Sequence, residues 1–111
     1  MARSASPHDR AFVVFLRVHL FFPESGSLKA KRAELNRVKA HLRARHGASV
    51  AEVGHQDTWQ RSTLAVALCG GSAGRCDEAA DAVGRYLDAH FPQGARVERR
   101  LASWTDLESL G

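Results

Sequence analysis

The chain has few of the residues that cross-link small folds or hold metal ions. Its two cysteines, Cys69 and Cys76, show neither a CxxC motif nor the Cys/His spacing of a zinc site. The sequence therefore excludes a disulfide framework and a zinc finger. Free thiols are typical of a reducing compartment, and we expect a cytoplasmic protein.

A long uninterrupted apolar run is also missing. The strongest candidate spans residues 12–22, but Arg17 and His19 interrupt it. A membrane-spanning helix needs roughly 20 apolar residues, and no signal-peptide cleavage site follows this run. We therefore expect no membrane segment. Residues 1–10 are polar and are predicted to form a disordered leader.

Positive charge is concentrated in one segment. The chain carries 16 basic and 12 acidic residues, for a net charge of +4. Between Leu28 and His46 stand seven basic residues and one acidic residue, so this segment carries +6 and the rest of the chain −2. Such a stripe can follow a phosphate backbone. The alternative is a solvated helix face, partly offset by an acidic second helix.

Hydrophobic periodicity predicts six main elements in a chain of 111 residues, which is the size of one domain. Strands are predicted at residues 11–22, 48–53, 61–69 and 95–102, and helices at 28–46 and 76–91. Ser27 has the side chain of an N-cap for the first helix, and Gly47 marks its end. Capping-box spacing at Thr105–Glu108 predicts a terminal helical turn in a short tail, residues 105–111.

The order β-α-β-β-α-β predicts an α+β fold, a ferredoxin-like βαββαβ sandwich over residues 11–104. Right-handed crossovers place both helices on one face of a four-stranded antiparallel sheet. The other face stays open. On the first strand it would present Phe15 and Phe21 beside Arg17 and His19, and the third strand adds small residues. This surface predicts a homodimer through the open sheet face.

The segment from Val50 to Arg61 carries more chemistry than a chain reversal needs. Glycine, Asn, Asp or Pro suffice for a hairpin turn, whereas this loop contains His55, Gln56, Asp57, Trp59, Gln60 and Arg61. In one interpretation Trp59 plugs a gap at the end of the sheet, while Asp57 and Gln60 satisfy backbone groups. In the other, the loop recognises a partner, because Trp and Arg are frequent anchors at interfaces.

The same loop could be read as a catalytic or metal site. His55 could act as a base oriented by Asp57, and both could join Glu52 and His19 around a metal, since strand alternation predicts Glu52 on the open face. Spacing alone is a weak indication, no nucleophile is paired with these residues, and no glycine-rich phosphate loop is present. The arginine-bearing loop that acylphosphatases place after the first strand is also absent. We predict a non-enzymatic protein with no metal and no cofactor.

Two motifs resemble the signatures of a known family. The segment SLKAKR at residues 27–32, followed by residues 50–61, is similar to the motif pair of the YlxP-like family, bacterial domains of unknown function. The resemblance covers about residues 12–101 and implies a ferredoxin-like fold. On function it implies only a genomic context, beside genes for ribosome maturation and translation initiation factors. The leader, the glycine-rich stretch after Cys69 and the tail depart from the family pattern.

These observations predict a protein that binds RNA or a ribosomal particle. The predicted phosphate contacts lie on the first helix and are Lys29, Lys31, Arg32, Lys39 and Arg43. Lys31 lies beside the apolar stripe, so its stem is expected to run along the seam between helix and sheet. The predicted recognition loop contributes His55, Gln56, Asp57, Trp59 and Arg61. The alternative is a dimeric protein-interaction module with no nucleic-acid role.

Overall fold

The computed structural model describes residues 10–92 and 94–111. The elements are β1 Phe12–Phe21, α1 Leu28–His46, β2 Ser49–Gly54, β3 Arg61–Gly70, α2 Ala73–His90, β4 Ala95–Ser103 and α3 Trp104–Glu108. Their order is the predicted one, followed by a short third helix. The leader predicted over residues 1–10 lies outside the described residues, apart from its last residue.

Four antiparallel strands form one sheet in the order β2-β3-β1-β4. β1 is central and pairs along most of its length with β3 on one side and β4 on the other. α1 and α2 pack over one face of the sheet. The fold is thus α+β and ferredoxin-like, which confirms the sequence-based prediction.

The core lies between these two helices and the sheet face that they cover. Alternate residues of the central strands point into it, and the apolar stripes of α1 and α2 close over them. The apolar side chains with no exposed surface are Val14, Leu16, Val18, Leu42, Leu64, Val66, Val83 and Leu87. Burial of each contributes about 1.5–3 kcal/mol. The alternate residues of β1 therefore face away from the helices, and these are Val13, Phe15, Arg17, His19 and Phe21.

Both ends of α1 follow from short-range signals. The Ser27 hydroxyl accepts a 3.0 Å hydrogen bond from the backbone N–H of Ala30, which satisfies one of the free donors of the first turn. Gly47 adopts φ 64°, a left-handed conformation that glycine reaches without strain. Its backbone N–H donates a hydrogen bond to the carbonyl of Leu42. The predicted bounds of α1 and both caps are confirmed.

The other helix starts differ from the sequence-based prediction. α2 begins at Ala73 rather than Cys76, because the Ser72 side chain accepts from the backbone N–H of Arg75 and caps the helix three residues earlier. The terminal helical turn is present, but its capping box joins Ser103 and Asp106 instead of Thr105 and Glu108. In the part of the chain that the structure describes, no helix is long and apolar enough to cross a membrane.

Candidate nucleic-acid interface

A basic stripe runs along one flank of α1, and we define it as Lys29, Arg32, Lys39 and Arg43. Lys29, Arg32 and Arg43 are exposed and Lys39 is half-buried. Spacings of three, seven and four residues keep these side chains on one side of the helix. From first to last they span about 20 Å of helix axis. Asn36 lies between them and is exposed as well.

Two contacts show which flank carries the basic stripe. On the α2 side, the His41 ring stacks on Tyr86 with centroids 3.8 Å apart and planes 9° apart. Lys39 and Arg43 lie roughly 160° around the helix from His41. Arg43 reaches the edge strand β2, where its Nη2 donates a 2.8 Å hydrogen bond to the carbonyl of Val50. The stripe therefore lies on the β2 side of the molecule.

In the part of the chain that the structure describes, the cations of the basic stripe are not neutralised by carboxylates. Among residues 10–92 and 94–111, no carboxylate oxygen lies within 4.0 Å of these four side chains. The acidic helix α2 directs Asp77 and Asp81 to Arg99 of β4, at 3.0 and 2.8 Å. Because those carboxylates are engaged at the β4 edge of the helix-covered face, away from the stripe on the β2 side, α1 keeps its excess positive charge.

Lys31 does not belong to the basic stripe, which corrects the predicted phosphate contact. Its side chain has no exposed surface. Nζ donates to the carbonyls of His55 at 2.7 Å and Arg61 at 2.9 Å, and more weakly to Gln56 at 3.4 Å. The stem follows the seam between helix and sheet as expected, but the ammonium ends inside the protein. Lys31 ties the β2–β3 loop to α1.

That buried ammonium sets the path of the loop between β2 and β3. Three carbonyls converge on it, and the Thr58 N–H closes a turn on the carbonyl of His55 at 3.1 Å. His55 adopts φ 60°, an uncommon conformation for a residue other than glycine. A residue is held in such a conformation when its surroundings impose it. Here the bond from Lys31 to the His55 carbonyl supplies that constraint.

The recognition-loop residues point to different parts of the surface. Trp59 is 53% exposed, so it does not plug the end of the sheet and that part of the structural interpretation is wrong. Gln60 does bond a backbone group, because its Nε2 donates to the Pro23 carbonyl at 3.3 Å. Asp57 and Gln56 have exposed side chains. His55 and Arg61 turn toward the open face of the sheet, where they line a cleft. A recognition role stays a prediction.

Glu52 lies on the helix side of the sheet, which corrects its predicted place on the open face. It is paired with the core residue Leu64, and its carboxylate accepts a 2.9 Å hydrogen bond from Ser62 and lies 3.7 Å from Lys31 Nζ. His19 faces the other way. Within the described residues, no group of three or more His, Cys, Asp and Glu side chains is placed to hold a metal ion.

A second basic surface, which the sequence analysis did not find, covers the open face of the sheet. Directly paired residues of antiparallel strands share a face, so the register brings the arginines of β1, β3 and β4 together there. These are Arg17, Arg61, Arg96 and Arg100. In the described strands of this face they are opposed by one carboxylate, Glu98. The alternation of Arg96, Glu98 and Arg100 along β4 was the available signal.

Glu98 is held as a carboxylate by its neighbours on this face. Arg17 binds both of its oxygens, at 2.8 and 3.1 Å, and His19 Nε2 lies 2.7 Å from Oε1. Hydrogen bonds from Arg17 and then His19 lower the pKa of Glu98 to about 2. Arg96 adds a second guanidinium, whose Nη1 lies 4.0 Å from Oε1. The single carboxylate of Glu98 is thus shared by Arg17, His19 and Arg96, and the face remains basic.

The fold and these surfaces define a class: a ferredoxin-like α+β domain with two basic surfaces, one on a helix and one on the open sheet. The chain belongs to the family described as "Protein of unknown function (DUF503)", which residues 13–104 match. It is similar to "Uncharacterized protein YlxP" of Bacillus subtilis (strain 168), with 34% identity over 78 residues, 70% of this chain and 80% of that protein. The resemblance to the YlxP-like family is thereby confirmed.

One solved structure shares the architecture. The "De novo designed protein Foldit4" is similar with a TM-score of 0.53 and 13% sequence identity, over 83% of this chain and 96% of that chain. At that identity the likeness concerns the fold alone.

Proposed function

We propose that this protein is a small, non-enzymatic RNA-binding protein of the cytoplasm that associates with the ribosome or with a ribosome assembly intermediate. The observation that carries the proposal is the basic stripe of α1. Its cations stand on one flank, and in the described residues none of them lies within ion-pair distance of a carboxylate. Phosphate is the ligand that such a row of cations matches best.

The basic stripe supplies affinity and the recognition loop supplies selectivity in this proposal. Lys29 and Arg32 lie in the first turns of α1, which is the end that Lys31 ties to the loop. Lys provides a compact positive charge and Arg a planar fork, and both suit phosphate oxygens. An RNA strand that follows the stripe would therefore reach Trp59 and His55 at its end, where an exposed indole can stack on a base.

A salt titration tests the electrostatic part of the proposal. Four cation–phosphate contacts to single-stranded RNA give a slope of log affinity against log salt of about −3. The measurement is fluorescence anisotropy with labelled fragments of small-subunit ribosomal RNA between about 50 and 200 mM salt. Absence of binding at the low end of this range would overturn the proposal.

A pair of charge-matched variants shows whether the position of the charge matters. The stripe variant replaces Lys29, Arg32, Lys39 and Arg43 by Gln. The control replaces four other exposed arginines of the two helices by Gln, namely Arg37, Arg45, Arg75 and Arg85. Both lose the same charge, but we expect the slope to fall toward zero only in the stripe variant. Equal losses would mean that net charge alone attracts the RNA.

Sedimentation of the tagged protein on sucrose gradients tests whether its partner is a ribosomal particle. We expect comigration with small-subunit particles at low salt and release at high salt. Retention through high salt would indicate an apolar contact with a protein instead.

The competing function is a dimeric protein-interaction module that uses the open sheet face. Exposed Phe15 and Phe21 beside small Ala65 and Ala67 favour it. The arginines of that face oppose it, because two copies would bring like charges together. Light scattering at high protein concentration tests the competing function, because that function requires a dimer and the RNA-binding proposal does not.

A further inference from the structure

A cleft lies at one end of the open sheet face, apart from the basic stripe of α1. It has a volume of about 590 Å³. Clefts of roughly 300–1,000 Å³ are the size that binds small organic ligands. Side chains from three strands and the β2–β3 loop line it: His19 and Phe21 of β1, Arg61 and Thr63 of β3, Arg96 of β4, and His55.

The strand register explains why these residues meet. His19 lies opposite Thr63 on β3 and opposite Arg96 on β4, and Phe21 lies opposite Arg61. Opposed residues of antiparallel strands have Cβ atoms about 5 Å apart on the same face. Two arginines therefore flank the end of β1, one from each neighbouring strand, with an imidazole between them.

Two arginines, Arg61 and Arg96, line the cleft, and the carboxylate of Glu98 beside it is engaged mainly by Arg17 and His19. Glu98 is shared by Arg17, His19 and Arg96, and its distance to Arg96 is the longest of the three at 4.0 Å. Across the described parts of the chain, no carboxylate lies within 4.0 Å of the Arg61 guanidinium. Arg61 and most of the donors of Arg96 remain available to an external anion.

The rim of the cleft is fixed by the backbone. The Lys31 ammonium holds the carbonyls of His55 and Arg61, the two loop residues that border it. On the opposite rim Gly94 accepts a 2.7 Å hydrogen bond from the Phe21 N–H, and a Cβ at this position would lie 2.7 Å from the Phe21 carbonyl oxygen. Preorganised donors lose less entropy when a ligand binds.

We propose that this cleft binds the phosphate group of a nucleotide, with Arg61 and Arg96 as the principal donors and His19 and His55 beside them. Guanidinium groups match phosphate oxygens with paired hydrogen bonds. Phe21, which is 41% exposed, gives the cleft an apolar wall for the rest of the nucleotide. The phosphate belongs either to a free mononucleotide or to the phosphorylated end of an RNA strand.

The site is tested with the full-length protein labelled with ¹⁵N and titrated with inorganic phosphate, with AMP, and with a short oligoribonucleotide that carries or lacks a 5′-phosphate. We expect amide shifts at the cleft rim. Arg61→Gln and Arg96→Gln should each weaken binding about tenfold, because each removes hydrogen bonds to a charged group. The matched control is Arg37→Gln on the exposed surface of α1, which should leave binding unchanged.

Glu98→Gln provides a gain of function that a merely structural role would not give. Removal of the one carboxylate that the described strands place on this face takes away a competing charge, and we expect phosphate to bind about fivefold more tightly. Melting temperatures of all variants show that they fold. Equal binding by wild type and by the double variant Arg61→Gln/Arg96→Gln would overturn the proposal.

The titrations also distinguish the two sources of the phosphate and the two proposals. Binding of AMP identifies a free nucleotide, whereas binding of the 5′-phosphorylated oligonucleotide alone identifies an RNA end; both support the site. No response to any of these anions at millimolar concentration would overturn it. The stripe variant of α1 should bind the phosphate normally, so failure of the RNA-binding proposal leaves this site unaffected, and the reverse also holds.

Discussion

Lys31 Nζ donates a 2.7 Å hydrogen bond to the backbone carbonyl of His55, which lies 24 residues along the chain in the loop between β2 and β3. A lysine with no exposed surface is uncommon, because an ammonium loses its hydration unless polar atoms replace it. Here carbonyls of the loop replace it, and the Glu52 carboxylate at 3.7 Å balances its charge. The loop therefore depends on a side chain of the first helix.

Lys31→Met should destabilise the protein by about 2–4 kcal/mol, because loop carbonyls lose their donor and Glu52 loses its counter-charge. Amides of the loop should exchange faster with solvent. The matched control is Lys29→Met, an exposed lysine of the same helix, which should change stability by less than about 0.5 kcal/mol. Urea denaturation of the three proteins measures the difference, and similar stabilities would contradict the role given to Lys31.

This contact also shows where sequence analysis reached its limit. The caps of α1, its length and the strand order could be predicted, because Ser27, Gly47 and the hydrophobic periodicities act over a few residues. The position of Lys31 beside the apolar stripe indicated a partly buried stem. Nothing in the sequence indicated that carbonyls from a distant loop would enclose its ammonium, since that depends on how α1 packs against the sheet.

The surface charges of the sheet were missed for a related reason. The basic arginines of β4 face in alternate directions, and strand pairing decides which side each one joins. Arg99 meets the carboxylates of α2, whereas Arg96 and Arg100 join Arg17 on the open face. Glu52 was assigned to the wrong face because its side is set by the register of β2 against β3, which pairs it with the core residue Leu64. Segment charges alone could not reveal either arrangement.

Gly94→Ala should destabilise the protein by about 1–3 kcal/mol. The added Cβ would lie 2.7 Å from the Phe21 carbonyl oxygen, so β1 and the start of β4 would have to separate. Gly84→Ala is the control, because nothing lies within 4 Å of a Cβ there and Gly84 stands inside α2. That change should stabilise the protein by about 0.5–1 kcal/mol. Thermal melts of both variants check that Gly94→Ala lowers the melting temperature and that Gly84→Ala raises it.

Trp59→Ala should leave the free energy of unfolding within about 1 kcal/mol of wild type, because the indole is 53% exposed. If the loop recognises RNA, the same change should weaken binding by about 1–3 kcal/mol through lost stacking on a base. Melting temperature and RNA anisotropy are therefore measured on the same preparation. Phe15→Ala serves as the comparison, since Phe15 is 50% exposed but lies on the open sheet face. A large drop in melting temperature for Trp59→Ala would contradict its exposed placement.

The stability of the protein should depend on the ionisation of Glu98. Hydrogen bonds from Arg17, and then from His19, lower its pKa from the ordinary 4.5 to about 2 in the folded protein. A carboxyl with a lowered folded pKa stabilises the protein above its unfolded pKa, and this contribution is lost as the pH falls from 4.5 toward about 2. Urea denaturation of wild type and Glu98→Gln across this range measures it.

We expect wild type to be the more stable of these two proteins at neutral pH and the difference to shrink as the pH falls from 4.5 toward 2. Glu78→Gln is the matched control, because Glu78 is an exposed carboxylate of α2 that, among the described residues, forms no ion pair within 4.0 Å. The difference in free energy of unfolding between Glu78→Gln and wild type should stay small at every pH. A constant gap between wild type and Glu98→Gln would show that Glu98 acts by packing, and that its ionised form gains nothing from Arg17 and His19.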